Sequence, residues 1–427
     1  MKWAQNAQKS MSNKIALICL FLTILHSSGG AQVPGFFLKE DKRKATLPFY
    51  SSNSLIIVPV SVNGNPPINF MIDTGVRANI LFSKRLGDDL GLKYTRRLSL
   101  VGADGISSLM ASVSALNQLD LGPIIGNFQN LLVLEEDFFE LESVIGVPVY
   151  GIIGYEFFKY NPVKINYDDG KLDFYKRTAM KRRPFFYKEL AMAIEDNKPY
   201  ILTKVKQKGG KTINSKLLID TGANHGLLLN RETSEDIVVP PLFIESEIGQ
   251  SLGGLLYGLI GRVEHLKIKQ LKFEDVLTSY PDTTAFSYVI KDSGRQGSLG
   301  SEVLGRTKII FDYPRERMFI KKANNFYTPF EFDMSGLTLK KVLADQTRIF
   351  ISDVREGSPG YEAGILPFDE ITSINKIPIF IWELSEVNKL FRSQEGRVIQ
   401  LQVRRYDPFD SKKWENIKVL IKLRKQI

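Results

Sequence analysis

Two aspartates stand in the same tripeptide, 147 residues apart (220 − 73): Ile72-Asp73-Thr74-Gly75 and Ile219-Asp220-Thr221-Gly222. Two carboxyls brought face to face cannot both ionise cheaply, so they share one proton. The ionised member can then take a proton from water while the protonated one hydrogen-bonds a carbonyl under attack. Gly75 and Gly222 let the backbone turn tightly and approach a partner closely. Thr74 and Thr221 bring hydroxyls able to tie two such loops together. The chemistry on offer is hydrolysis at a carbonyl, and it requires two structural units that hold the loops opposite one another.

The chain supplies those units as a repeat. Each tripeptide follows a strand-like run (Phe70-Met71-Ile72; Leu217-Leu218-Ile219) and precedes another apolar stretch (Ile80-Leu81-Phe82; Leu227-Leu228-Leu229). Gly151-Ile152-Ile153-Gly154 ends 81 residues after Asp73 (154 − 73), and Gly297-Ser298-Leu299-Gly300 ends 80 after Asp220 (300 − 220). Lys164-Ile165-Asn166-Tyr167-Asp168 matches Lys308-Ile309-Ile310-Phe311-Asp312, and each leads through a turn into another strand. Landmarks repeated in one order indicate an internal duplication. Upstream of each aspartate a hairpin is expected, with turns at Asn63-Gly64 and Gly209-Gly210. The second turn only briefly suggests a phosphate-binding loop, because Val205 stands where that motif requires its first glycine.

These features resemble the aspartic peptidases, specifically the retropepsin-like group, with both lobes fused in one chain as in the pepsins. The resemblance covers about residues 48–322. It implies a mainly β, bilobal acid-protease fold with one active site between the lobes. Asp73 and Asp220 would be the catalytic dyad, supported by Thr74, Gly75, Thr221 and Gly222. In that family a hydrophobic-hydrophobic-Gly strand lies beside the catalytic loop; Ile152-Ile153-Gly154 fits, while Ser298-Leu299-Gly300 departs by one polar residue. Flaps over the substrate are expected at Gly102 and Gly105 in the first lobe and at Gly253 and Gly254 in the second. His225, three residues after Gly222 (225 − 222), is a candidate for shaping the substrate pocket. Val76 and Ala223 stand where the pepsins usually carry a hydroxyl residue, and neither can donate a hydrogen bond to the ionised carboxylate. The shared proton is then held to higher pH, and activity is expected to peak at roughly pH 4.5–6.5.

Residues 324–427 differ in kind. Ser358-Pro359-Gly360-Tyr361-Glu362-Ala363-Gly364-Ile365, with Asp369-Glu370-Ile371, resembles the central signature of a PDZ domain, a small α/β fold. The resemblance implies a carboxylate-holding loop around Gly336, Leu337 and Leu339, a groove helix from Trp382 to Phe391, and a C-terminal peptide as ligand. Phe368 replaces the glycine usual before Asp369.

The expected domain order is a signal peptide (1–31), a linker (32–47), lobe one (48–178), lobe two (179–323) and the PDZ domain (324–427). The first segment has Lys2, Lys9 and Lys14, an apolar run from Ile15 to Leu25 and a small-residue end at Ser27-Ser28-Gly29-Gly30-Ala31. That predicts a secreted or periplasmic protein, and the run is too short for a stable membrane span. Cleavage near Ala31 removes Cys19, the sole cysteine, which excludes disulfides, thiol nucleophiles and Cys-based zinc sites.

The formal charge of +10 falls to +7 with the three signal lysines (10 − 3). Its densest cluster, Lys176-Arg177 with Lys181-Arg182-Arg183, lies where lobe one ends and lacks the interleaved aromatics of a nucleic-acid surface. Beyond residue 31 the histidines are His225 and His265, with no motif for a triad or a metal site, so neither a cofactor nor a metal is implied. The expected partner is a peptide or protein substrate, and the fused lobes imply a monomer. The alternative reading is a peptide-binding scaffold with an inactive protease fold, which Val76 and Arg77 beside Asp73 keep open.

Overall fold

A computed structural model describes residues 33–101, 108–136, 141–251, 254–283, 290–291, 293–343, 347–407, 410 and 413–427. The chain is mainly β, with two sheets of the same topology, a third sheet joining them, and a fourth in the C-terminal domain.

In lobe one Leu55–Val62 and Ile68–Ile72 form an antiparallel hairpin. Asn63 and Gly64 turn it with φ of 51° and 81°, the left-handed pair that matches the twist of the flanking strands. Ile68–Ile72 then pairs in parallel with Gly151–Ile153, which pairs in turn with Asn79–Leu81, and that strand runs parallel to Ile124–Leu134. Lobe two repeats this order with Lys198–Gln207, Thr212–Ile219, Gly297–Leu299, Leu227–Leu229 and Leu277–Pro281. Two runs of similar pattern thus build one topology twice, as the spacing predicts. Long hairpins close each lobe: Tyr94–Val101 with Ser108–Asp120, and Phe243–Ser251 with Gly254–Ile268.

The third sheet is where the copies meet. Val163–Asn166 of lobe one pairs antiparallel with Thr307–Asp312 of lobe two, so Val163 faces Phe311 and Asn166 faces Lys308. The stretches that match in sequence therefore bond to each other across the lobes. Phe158, Phe174 and Phe311 lie fully buried against this sheet, in one apolar cluster that spans both lobes. Burial of this kind contributes roughly 2–3 kcal/mol per large side chain, enough to fix the lobes as one body.

Phe326 and Phe330 belong to that same cluster, whereas Met334 belongs to the core of the C-terminal domain. The two cores therefore part between Phe330 and Met334, further along than residue 324. The guanidinium of Arg262 donates to the Phe330 carbonyl at 2.7 Å, and that of Arg306 reaches the carbonyls of Thr328 and Pro329.

The C-terminal domain runs Leu337–Leu343, Thr347–Val354, Glu370–Ile374, Val398–Tyr406 and Trp414–Lys422 across its sheet. Its helix Leu384–Phe391 buries Leu384, Val387, Leu390 and Phe391 and carries a capping box between Glu383 and Glu386. Ser358 caps the short helix Pro359–Glu362, accepting from the Tyr361 N–H at 3.2 Å. Phe368 sits at φ 71° and 80% exposed, so it occupies the left-handed turn position without the freedom of glycine.

Candidate active site

Each aspartate is delivered by the end of a central strand. Asp73 follows Ile68–Ile72 and Asp220 follows Thr212–Ile219. Their backbone N–H groups donate at 3.0 Å to Ile153 and to Leu299, the last residues of the short parallel neighbours. The chain then turns back on itself: Gly75 N–H donates to Asp73 Oδ1 at 2.6 Å and Gly222 N–H to Asp220 Oδ1 at 3.1 Å. Gly154 lies below the first loop, where a Cβ would come within 2.5 Å of the Val76 carbonyl; Gly300 takes the same place below the second, against His225.

The two loops hold each other. Thr74 N–H donates to Thr221 Oγ1 and Thr221 N–H to Thr74 Oγ1, both at 3.1 Å. Each hydroxyl also donates across the lobe boundary, Thr74 to the Ile219 carbonyl at 2.7 Å and Thr221 to the Ile72 carbonyl at 3.0 Å. Both threonines are fully buried. A Cβ at Gly75 would stand 2.9 Å from the Asp220 carboxyl, and one at Gly222 would overlap the Asp73 carboxyl. The glycines are thus required by close approach, and Asp73 and Asp220 meet in hydrogen-bonding contact.

Burial, then the charge of Asp220, holds the Asp73 carboxyl well above the usual carboxylate range; the Gly75 N–H opposes this. One proton is therefore shared by the pair. Tyr313 lies near, its phenol pushed well up by burial first and by Asp73 second. Arg77 does not turn towards Asp73: it pairs with Asp196 of lobe two, both side chains more than half exposed.

The lobes differ in the wall each presents beside its aspartate. Ile57 pairs with Met71 and Ile152 with Met71 and Ile80; the corresponding residues in lobe two are Tyr200, Leu218, Ser298 and Leu228. Side chains in register share a face. Two residues earlier on the same hairpin strands, Leu55 in lobe one has Lys198 as its counterpart in lobe two, and Lys198 lies within electrostatic reach of Asp220 and Asp73. Two residues before the short strands, Val149 has Arg295 as its counterpart. Lobe one is apolar here, with Leu55, Ile57, Met71, Ile80, Val149 and Ile152 in a single cluster. Lobe two places Lys198, Arg295 and Ser298 at the matching positions.

Neither Lys198 nor Arg295 stands out in the sequence, because isolated basic residues carry no motif. Counting the hairpin register back from the Gly209-Gly210 turn would have placed Lys198 beside Asp220. Burial, then the charges of Arg295 and Arg77, lowers the Lys198 pKa, while Asp196 and Asp220 pull it back.

His225 lies beside this wall, with Nε2 3.1 Å from Ser298 Oγ and, among the described residues, no partner for Nδ1; burial lowers its pKa. His265, by contrast, lies on Gly254–Ile268 opposite Glu274. Of the expected flap residues, Gly102, Gly105 and Gly253 lie outside the described residues. Gly254 begins its strand with φ 129°, and a Cβ added there would meet open space.

In the C-terminal domain the expected carboxylate loop already holds a carboxylate. Asp333 accepts from the N–H groups of Ser335 at 3.2 Å and Gly336 at 2.5 Å, and the Leu337 N–H donates to Ser335 Oγ at 3.1 Å. Leu337 and Leu339 point into the domain core. Lobe one reaches the groove beyond: a Cβ at Gly146 would stand 3.0 Å from that of Leu384 and 3.7 Å from Lys341 Cδ.

Comparison with protein families finds two matches. Residues 58–157 match the aspartyl protease family and residues 350–405 the PDZ domain family. The first match covers the Asp73 loop and its neighbouring strands; the second covers the Ser358–Asp369 signature. The comparison with curated proteins returns no match. The chain therefore carries an aspartyl protease domain with a PDZ domain C-terminal to it.

Proposed function

We propose that the protein is an aspartic endopeptidase whose dyad is Asp73 and Asp220. The observation that carries this reading is the reciprocal threonine lock, which holds two carboxyls in contact with one proton between them. The ionised member of the pair takes a proton from the attacking water while the protonated member donates its proton to the carbonyl oxygen. The water oxygen bonds to the carbonyl carbon, giving a tetrahedral diol. On collapse the C–N bond breaks, the carboxyl that took the water's proton passes it to the departing amine, and one diol hydroxyl returns a proton to the other carboxylate, leaving a carboxylic acid and restoring the dyad.

An inactive scaffold would have no use for two intact carboxylates in this arrangement, and Arg77 pairs with Asp196 rather than with Asp73. The PDZ domain supports peptide binding as the second activity of the chain. The basic and apolar N-terminal segment supports export, secreted or periplasmic, and the covalent fusion of the lobes supports a monomer. The test is cleavage of a peptide library by the chain from residue 32 onwards, with and without a statine-type inhibitor. Asp73→Asn and Asp220→Asn should each abolish turnover while circular dichroism stays that of the parent. Turnover retained in either variant would overturn the assignment.

A further inference from the structure

We propose that the lobe-two wall of the cleft is a carboxylate-binding subsite, built by Arg295 and Lys198, which selects peptides carrying a carboxylate next to the bond at Asp220. This rests on the endopeptidase reading and adds a substrate class to it. Arg295 is 9% exposed, yet among the described residues its Nε and Nη1 have no hydrogen-bond partner. Tyr200 touches the guanidinium but leaves those two nitrogens unused. A buried guanidinium with unused donors is costly, and native proteins rarely keep one without a use. Its donors match a carboxylate in charge and geometry.

The setting supports the same occupant. Arg295 stands two residues before Gly297–Leu299, at the position that Val149 fills with hydrocarbon in lobe one. Lys198 begins its strand within electrostatic reach of Asp220, where lobe one has Leu55. The remaining titratable and charged groups around Arg295 and Lys198 are Arg77, Asp196, Asp220, Asp73 and His225, whose imidazole is held towards the neutral form by burial. Asp196 is taken by Arg77. Asp220 already accepts from Gly222 and is engaged with Asp73. Lys216, on the neighbouring strand, is held by Glu195 at 2.5 Å and so does not compete for the same carboxylate. Positive charge is left in excess on the lobe-two side, facing an apolar wall on the other. An extended peptide across the cleft is then read asymmetrically, apolar against lobe one and anionic against lobe two.

A carboxylate can come from an aspartate or glutamate side chain or from a free C-terminus, and the experiment separates the two. Reduced-amide peptides, which cannot be cleaved, are made in pairs with Glu or Gln at each position flanking the central bond. Each is made with a free and an amidated C-terminus. Binding to the full chain is read by fluorescence anisotropy, and cleavage of the matching normal peptides is read alongside. At one position the Glu peptide should bind roughly tenfold or more tighter than its Gln partner. Arg295→Gln and Lys198→Met should each bring that ratio towards one, and Arg295→Lys should keep part of it. Two variants on separate segments of the chain guard against a single fold defect, and thermal unfolding checks both. A preference that follows the free terminus instead assigns the same subsite to a C-terminal carboxylate. Equal binding of all acidic and neutral partners, or a preference that survives both substitutions, overturns the subsite. If Glu is preferred but nothing is cleaved, the subsite stands and the endopeptidase reading falls. Cleavage with no such preference leaves the endopeptidase reading standing and removes the subsite.

Discussion

Thr74 and Thr221 are joined by two bonds of equal length, the N–H of each donating to the hydroxyl of the other at 3.1 Å. Each threonine directly follows an aspartate of the pair, so the lock sets the position of one carboxyl relative to the other. Thr74→Val leaves the Thr221 N–H and the Ile219 carbonyl buried without partners. At about 1–3 kcal/mol for each group, denaturant unfolding should show a loss of about 2–5 kcal/mol. Turnover should fall by about 100-fold as the carboxyls lose register. Thr74→Ser, which keeps the hydroxyl, should recover most of both.

Asp73 gives the protein a dependence of stability on pH with a definite sign. Its folded pKa lies well above the unfolded value near 3.8, through burial first and Asp220 second. Its favourable contribution is therefore complete below 3.8 and is lost as the pH climbs through the raised folded value. Stability should fall over that rise. Asp73→Asn cannot ionise, so its melting temperature should change less between acid and neutral solution and exceed that of the parent at neutral pH. Matched thermal scans across the range check this, and parallel slopes in parent and variant would count against it. The same proton is needed for turnover, so the alkaline limb of the pH–rate profile should follow the loss of the proton shared by the pair.

Phe368 holds a left-handed turn while 80% exposed, so it contributes little packing and carries backbone strain. The left-handed conformation costs about 1–2 kcal/mol for a side chain that glycine lacks. Phe368→Gly should recover about 1 kcal/mol after the entropy lost from the unfolded chain is offset. The readout is the unfolding transition of the PDZ region, followed by hydrogen exchange at Glu370–Ile374. A variant less stable than the parent would show that the ring packs in a way its exposure conceals.

The place at which the chain is cut should matter more than the presence of the PDZ domain. A fragment ending at residue 322 loses Phe326 and Phe330 from the shared core, and takes the Phe330 carbonyl from Arg262 and those of Thr328 and Pro329 from Arg306. A fragment ending at residue 332 keeps all of these. The longer fragment should melt cooperatively at a higher temperature, by a margin worth about 3–5 kcal/mol for the aromatic rings. Both lose the PDZ contact at Gly146, so the comparison isolates the linker.

The sequence by itself determined the duplicated lobe and the pair of aspartates. Asp-Thr-Gly closing an apolar run, with a glycine-ended apolar strand about 80 residues on, is a local pattern, and local patterns survive in one dimension. The equivalence of Lys164–Asn166 with Lys308–Ile310 was also legible, although their pairing across the lobes was not, because register depends on which strand ends lie adjacent. Only the tertiary structure decided which neighbours each aspartate keeps. Lys198 and Arg295 lie 22 residues before and 75 after Asp220 (220 − 198; 295 − 220), and nothing in their own surroundings marks them. Folding brings them together beside Asp220, because the three strands they flank are laid side by side whatever their separation along the chain. The PDZ loop makes the complementary point. Its residue types suggest a waiting carboxylate site, yet Asp333 lies close enough in space to fill it, and hydrogen bonds are settled by distance and angle rather than by composition.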